Sequence, residues 1–266
     1  MSLSYLVFIL SFTAYICAGS FYIQQFFKQS SNAIRFAQPA LMLALVGHLA
    51  ILVMAINQHG GEQLSLSFVT AMLAWLVTLT MLITNRFIKN LLFLPVVCFV
   101  SALFITIDIF LPPTTGINVN MGIGMVSHIL LSLVAFGILS ISMLYACQLA
   151  YINYQLKHKS RTMLTGSLPP LMSVERILYQ LMALGSGVLA FALLSGFVFI
   201  PNMFADGYAH KTLLSSMALI CYLACIVLHK FVGLKARVTI IFNFVGLLLL
   251  SLGYFGSRLV KEILLS

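Results

Sequence analysis

The stretch Met125–Lys157, MVSHILLSLVAFGILSISMLYACQLAYINYQLK, decides the fold. It carries no charged residue before Lys157. About 20 mostly apolar residues cross a hydrocarbon core as a helix. This run exceeds that need, so a helix read at about 122–150 tilts or projects into water. Working outward between charges and Gly/Pro/Asn clusters, seven more spans appear. The set lies at about 4–26, 36–57, 64–84, 91–111, 122–150, 173–200, 211–231 and 238–258. The expected fold is an all-α polytopic membrane bundle of eight transmembrane helices, one domain over residues 1–266.

Composition agrees. Of 266 residues, 62% are apolar or aromatic and 7% are charged, against about 25% charged in a soluble domain. Too few polar side chains exist to cover a soluble globule. The net charge of +9 is explained by topology. With the N-terminus outside, the inner side holds Lys28, Arg35, Arg86, Lys89, Lys157, Lys159, Arg161, Arg176, Lys230, Lys235 and Arg237. The outer side holds only Lys211, Arg258 and Lys261. Positive charge marks the cytoplasmic side, so both termini are expected outside. The basic balance thus speaks for membrane lipids and not for nucleic acid. Met1–Ser4 lacks the positive charge of a signal peptide while Lys28 follows, so the first segment reads as a span.

The five cysteines, Cys17, Cys98, Cys147, Cys221 and Cys225, form no CxxC and no CxxCH. A disulfide framework and a c-type haem attachment are therefore not expected. The longest inner loop, about 153–172, holds Lys157, His158, Lys159 and Arg161 before Pro169-Pro170, with Ser173 expected to cap the next helix. Anchoring at lipid headgroups and contact with a protein partner are both open to this loop.

The five acids, Glu62, Asp108, Glu175, Asp206 and Glu262, all fall at span ends or outside spans. Ion-coupled transport ordinarily needs a mid-membrane carboxylate. The histidines differ: His48, His128 and His229 fall within spans two, five and seven. Neutral imidazoles without acids among them suit a metal or haem iron. Each is also open to a plain hydrogen bond to a neighbouring helix. At 1.5 Å per residue, His48 lies about 3 Å and His128 about 6 Å outside the midplane, and His229 about 8–12 Å inside it. Depth alone pairs His48 with His128.

Met217, Cys221, Cys225 and His229 recur every four residues along span seven. Soft ligands suit copper(I), but one helix cannot wrap an ion, so packing is expected of this row. The glycines Gly122, Gly124, Gly185 and Gly187 read as close helix contacts, with room for a flat porphyrin as the alternative. No serine-triad, P-loop, dinucleotide or HExxH motif occurs.

Several segments carry a resemblance: VGHLAI around His48, GEQLSLSF after it, the Met125–Lys157 stretch, LPPLMSVER, IVLHKF around His229 and LGYFGSRLV near the end. In these the chain resembles the cytochrome c assembly family of integral membrane proteins, the CcsA-like and HemX-like haem handlers. The resemblance implies haem b binding in a bacterial inner (cytoplasmic) membrane; for this chain itself, enzyme activity in the strict sense is not expected. It implies His48 and His229 as axial ligands of one haem iron within the membrane, with His128 at an outer haem site. Two departures stand out. The stretch SRLVKEILLS lacks the second outer histidine, and PNMFADGYAHKTLL lacks the Trp-rich haem-presenting loop, Trp75 being the only Trp. A non-catalytic scaffold or regulator with the same fold is therefore the alternative reading, and a metal or solute transporter a further one.

Overall fold

The structure, a computed structural model, describes residues 3–28, 31–59, 66–86, 93–111, 123–158, 169–200 and 209–253. These residues form eight helices and no strand: α1 (Leu3–Lys28), α2 (Ser31–His59), α3 (Leu66–Thr84), α4 (Leu94–Phe110), α5 (Ile123–Lys157), α6 (Leu171–Phe199), α7 (Ala209–Val232) and α8 (Ala236–Ser251). In lipid every backbone polar group must pair within its own segment, which selects helices. Six of the eight, all but α4 and α8, are long and apolar enough to cross a membrane. The other two are apolar but run 17 and 16 residues. That is about 25 Å of rise, against a core of about 30 Å.

The expected boundaries hold within a few residues, with three differences. Helix α5 runs through to Lys157, 35 residues or about 52 Å. Residues 153–157, assigned to the inner loop from sequence, are therefore helical, because no proline or glycine interrupts them. Ser173 does not cap α6. Pro170 takes the N-cap place in an extended conformation, and no side chain caps the helix there. The Pro170 carbonyl accepts the Ser173 and Val174 amides instead. Residues 91–92 and 254–258, expected to extend the fourth and eighth spans, lie outside the described residues.

Packing divides the chain into two compact units, residues 1–120 and 121–266. In the first, α1 packs on α2 and α4, and α3 on α2 and α4. Phe8, Ile51 and Ile105 join α1, α2 and α4 in one apolar cluster; Leu52, Phe68 and Ala71 join α2 to α3. Close approach is set by Gly47, where a Cβ would run into the Ser11 hydroxyl of α1. The Trp75 indole N–H donates to the Leu45 carbonyl at 3.0 Å, tying α3 to α2. Helix α2 accommodates Pro39 in its interior, as membrane helices do when neighbours re-satisfy freed groups.

In the second unit α5 packs on α6 and α8, and α7 on α6 and α8. Gly185 of α6 meets the Leu139 side chain and Gly246 of α8 meets the Tyr222 ring. Gly187 meets nothing within 4 Å, so it is not the packing contact expected of it. Asn243 of α8 donates its amide hydrogen to the Ser142 hydroxyl of α5. Gly233 ends α7 with φ +74° and returns its N–H to the His229 carbonyl at 3.1 Å. This left-handed cap is open to glycine at little cost, and three residues later α8 begins.

The interior is mostly apolar, but large apolar side chains also cover the outside. Phe191, Phe197, Phe231 and Met172 point outward, while Ser11, His48, Thr78, Ser101, Ser142, Gln148, Ser186, Thr239 and Asn243 are buried. Lipid accepts the apolar side chains, so the polar ones turn inward to find partners.

Candidate functional site

Of the three intramembrane histidines, His48 belongs to the first unit, and His128 and His229 to the second. His48 is fully buried. Its ring meets Tyr15 of α1 edge-on, with centroids 5.8 Å apart and an 86° interplanar angle. The Tyr15 hydroxyl lies 3.0 Å from His48 Nδ1. The other ring nitrogen, Nε2, is buried and has no hydrogen-bond partner. An imidazole nitrogen left unpaired in an apolar interior costs free energy on the order of 1–3 kcal/mol. Such an atom points to a ligand.

His128, in the second turn of α5, is half-buried. Its Nδ1 lies 2.8 Å from the Ala192 carbonyl and 3.3 Å from Ser195 Oγ on α6. A carbonyl only accepts, so Nδ1 carries a proton. Gly124, one turn earlier, would strike the Phe199 ring if it bore a Cβ. The end of the α5–α6 pair that holds Gly124 and Phe199 is therefore closely packed, in keeping with the packing reading of that glycine.

His229 lies in the last turn of α7 and stacks on Tyr179 of α6, with centroids 3.6 Å apart and rings 18° from parallel. Its Nδ1 is buried without a hydrogen-bond partner. The Tyr179 hydroxyl is 2.6 Å from Thr239 Oγ1 on α8, so the stacked ring is itself anchored. Two further histidines are exposed: His158 against Tyr154 (centroids 4.4 Å apart), and His210 at the start of α7.

The Met217–His229 row does not converge. Met217 is exposed, Cys221 donates to the Phe242 carbonyl at 3.4 Å and Cys225 is buried. Among the described residues no three His, Cys, Asp or Glu side chains are grouped to hold a metal ion. All five cysteines are free. Asp108 lies near the end of α4 and Glu175 near the start of α6. Glu62, Asp206 and Glu262 lie outside the described residues.

Sequence reasoning passed over Tyr15 and Tyr179, the two residues that hold His48 and His229. It also passed over Gln148, whose amide is buried with neither atom partnered. The available signal was a polar side chain in the interior of an apolar span, the same feature that drew notice to the histidines.

An all-helical fold with long apolar helices and inward-turned polar side chains defines a polytopic membrane protein. The family model for cytochrome C assembly proteins matches residues 37–265, and the chain belongs to that family. The inner membrane protein YpjD of Escherichia coli strain K12 is 30% identical over 258 residues, covering 96% of this chain and 98% of the relative. YpjD of strain O157:H7 matches to the same extent. An uncharacterized 28.8 kDa protein of Azospirillum brasilense, from a nifR3-like 5′ region, is 28% identical over 149 residues, 54% of each chain. No solved structure matches. The protein is a multi-pass inner-membrane protein of the cytochrome c assembly family.

Proposed function

We propose that this protein binds haem b within the membrane and handles it in support of cytochrome maturation, without catalysing a bond-making step itself. The observation that carries this reading is the His48 Nε2 atom, buried and unpartnered beside an anchored Nδ1. That nitrogen fits the group: it is a neutral donor, it is shielded from water, and iron is a ligand that imidazole suits. His48 would be a residue that holds the haem, and His229, whose buried Nδ1 also lacks a partner, would be a further one. His128 would serve an outer haem site. When bound, haem supplies an iron centre able to change oxidation state where water is scarce. The family membership supports the involvement of haem. In this reading all eight helices span, with both termini outside and eleven of fourteen basic residues inside, a bias that opposes the reverse orientation.

The test is a visible spectrum of the protein purified from haem-replete cells. A Soret band in the wild type that is lost in His48→Ala supports the reading. A wild type without the band, indistinguishable from His48→Ala, sinks it.

A second reading is a haem-free scaffold or regulator. It is favoured by the absence of Trp from residues 201–214 and of His from 257–266. Its contact would be the basic inner segment about 153–172. Replacing Lys157, Lys159 and Arg161 with Gln should then release a co-purifying protein, and unchanged co-purification rejects it.

A further inference from the structure

His229 lies in the last turn of α7, where helices ordinarily fray. Two contacts hold it there. Its carbonyl accepts the Gly233 N–H at 3.1 Å, which pins the backbone. Its ring lies flat on Tyr179 of α6, with centroids 3.6 Å apart and 18° between the planes. The Tyr179 hydroxyl meets Thr239 Oγ1 of α8 at 2.6 Å, and Thr239 is buried. Tyr179 is thus held at the far end of its side chain as well as by its helix. An imidazole lone pair lies in the plane of the ring. A stacked neighbour covers only the face, so Tyr179 restrains His229 without occupying a nitrogen. Nδ1 is buried with no hydrogen-bond partner. A histidine serving only to bridge helices ordinarily spends such a nitrogen on a neighbour. The elements contributing are α6, α7 and α8, all within the second unit.

We propose that Tyr179 is a positioning residue for His229: stacked on the imidazole and anchored by Thr239, it sets the ring plane and leaves a nitrogen free to hold haem. This inference rests on the reading of His229 as a haem-holding residue and adds the group that orients it. A ligating histidine ordinarily takes its orientation from a hydrogen bond at its second nitrogen. Here the face of an anchored phenol ring fills that role.

The experiment has two arms. In the first, the His229 ring protons of haem-free protein in detergent are compared by NMR in wild type, Tyr179→Phe, Tyr179→Leu and Thr239→Val, with His229→Gln identifying the signal. The wild-type protons are expected upfield, under the ring current of Tyr179. Tyr179→Phe and Thr239→Val keep part of that shift, and Tyr179→Leu abolishes it. In the second, haem affinity and the electron paramagnetic resonance of the ferric protein are measured on the same set. The g values of ferric haem follow the plane of a ligating imidazole. Tyr179→Leu is expected to lower affinity by about 10–100-fold and to move the g values. Tyr179→Phe and Thr239→Val remove the same bond, so each should move them by the same smaller amount, and the two together by no more. Thr239→Val leaves both rings in place and carries the decision if Tyr179→Leu does not fold. A wild type without the upfield shift overturns the proposal. So do haem-loaded variants with unchanged g values and affinity, which leave the haem reading standing. A wild type that takes up no haem overturns the haem reading and the positioning role of Tyr179 with it, whatever the first arm shows.

Discussion

Tyr179 and His229, fifty residues apart in sequence, lie face to face with ring centroids 3.6 Å apart, and the Tyr179 hydroxyl is bonded to Thr239 at 2.6 Å. Three helices, α6, α7 and α8, thereby hold one imidazole. Tyr179→Phe keeps the stack and loses the hydroxyl contact, at a cost of about 0.6 kcal/mol, the average for interhelical hydrogen bonds in bilayers. Tyr179→Leu also loses the stack, a further loss of about 0.5–1.5 kcal/mol. Thermal unfolding in detergent should rank wild type above Tyr179→Phe above Tyr179→Leu.

The α1–α2 crossing turns on Gly47 and Ser11. Gly47→Ala places a Cβ on the Ser11 hydroxyl and should destabilise by about 1–3 kcal/mol. Ser11→Ala removes a buried oxygen that has no partner, so it should be neutral or stabilising. In the double variant the nearest side-chain atom to the new Cβ is the Ser11 Cβ position at 3.3 Å, and most of the loss should be recovered. A double-mutant cycle read by unfolding in detergent checks it; strict additivity would contradict the geometry.

Asn243 joins α8 to α5 through Ser142. Asn243→Leu should cost about 1–3 kcal/mol, because it leaves a buried hydroxyl with a lost partner. Combining it with Ser142→Ala should cost less than the sum of the two single changes. Limited proteolysis of the α7–α8 linker offers a second readout, faster in Asn243→Leu than in wild type.

Two glycines should respond in opposite directions. Gly233→Ala forces a Cβ into the left-handed region and should destabilise by about 1 kcal/mol. Gly187→Ala adds a methyl where nothing lies within 4 Å, inside α6, and should stabilise by roughly 0.5–1 kcal/mol. Equal effects would count against the cap assignment.

Substituting the histidines one at a time separates the pairings. If His48 and His229 share the intramembrane iron, either change to Ala should remove the low-spin bis-imidazole spectrum, and His128→Ala should leave it. If depth governs, His128→Ala joins His48→Ala in losing it and His229→Ala does not.

Residues within single spans explain what could be read directly. The helix read at 122–150 follows from one uninterrupted apolar run, and the starts of α2 and α7 fall within five residues of expectation, whereas the sequence reading stops short of the continuation of α5 to Lys157. In lipid, unpaired backbone is costly along the whole run, so local composition alone commits the segment to helix. Chain order and charge settled the eight helical segments and drew attention to His48, His128 and His229. Tertiary structure decided which partner each histidine has: Tyr15 for His48, Ala192 for His128 and Tyr179 for His229. The reason is rotational phase. A helix that is apolar all round has no hydrophobic stripe to say which side faces its neighbours, so only packing, through contacts such as Gly47 against Ser11, turns a given polar side chain toward another.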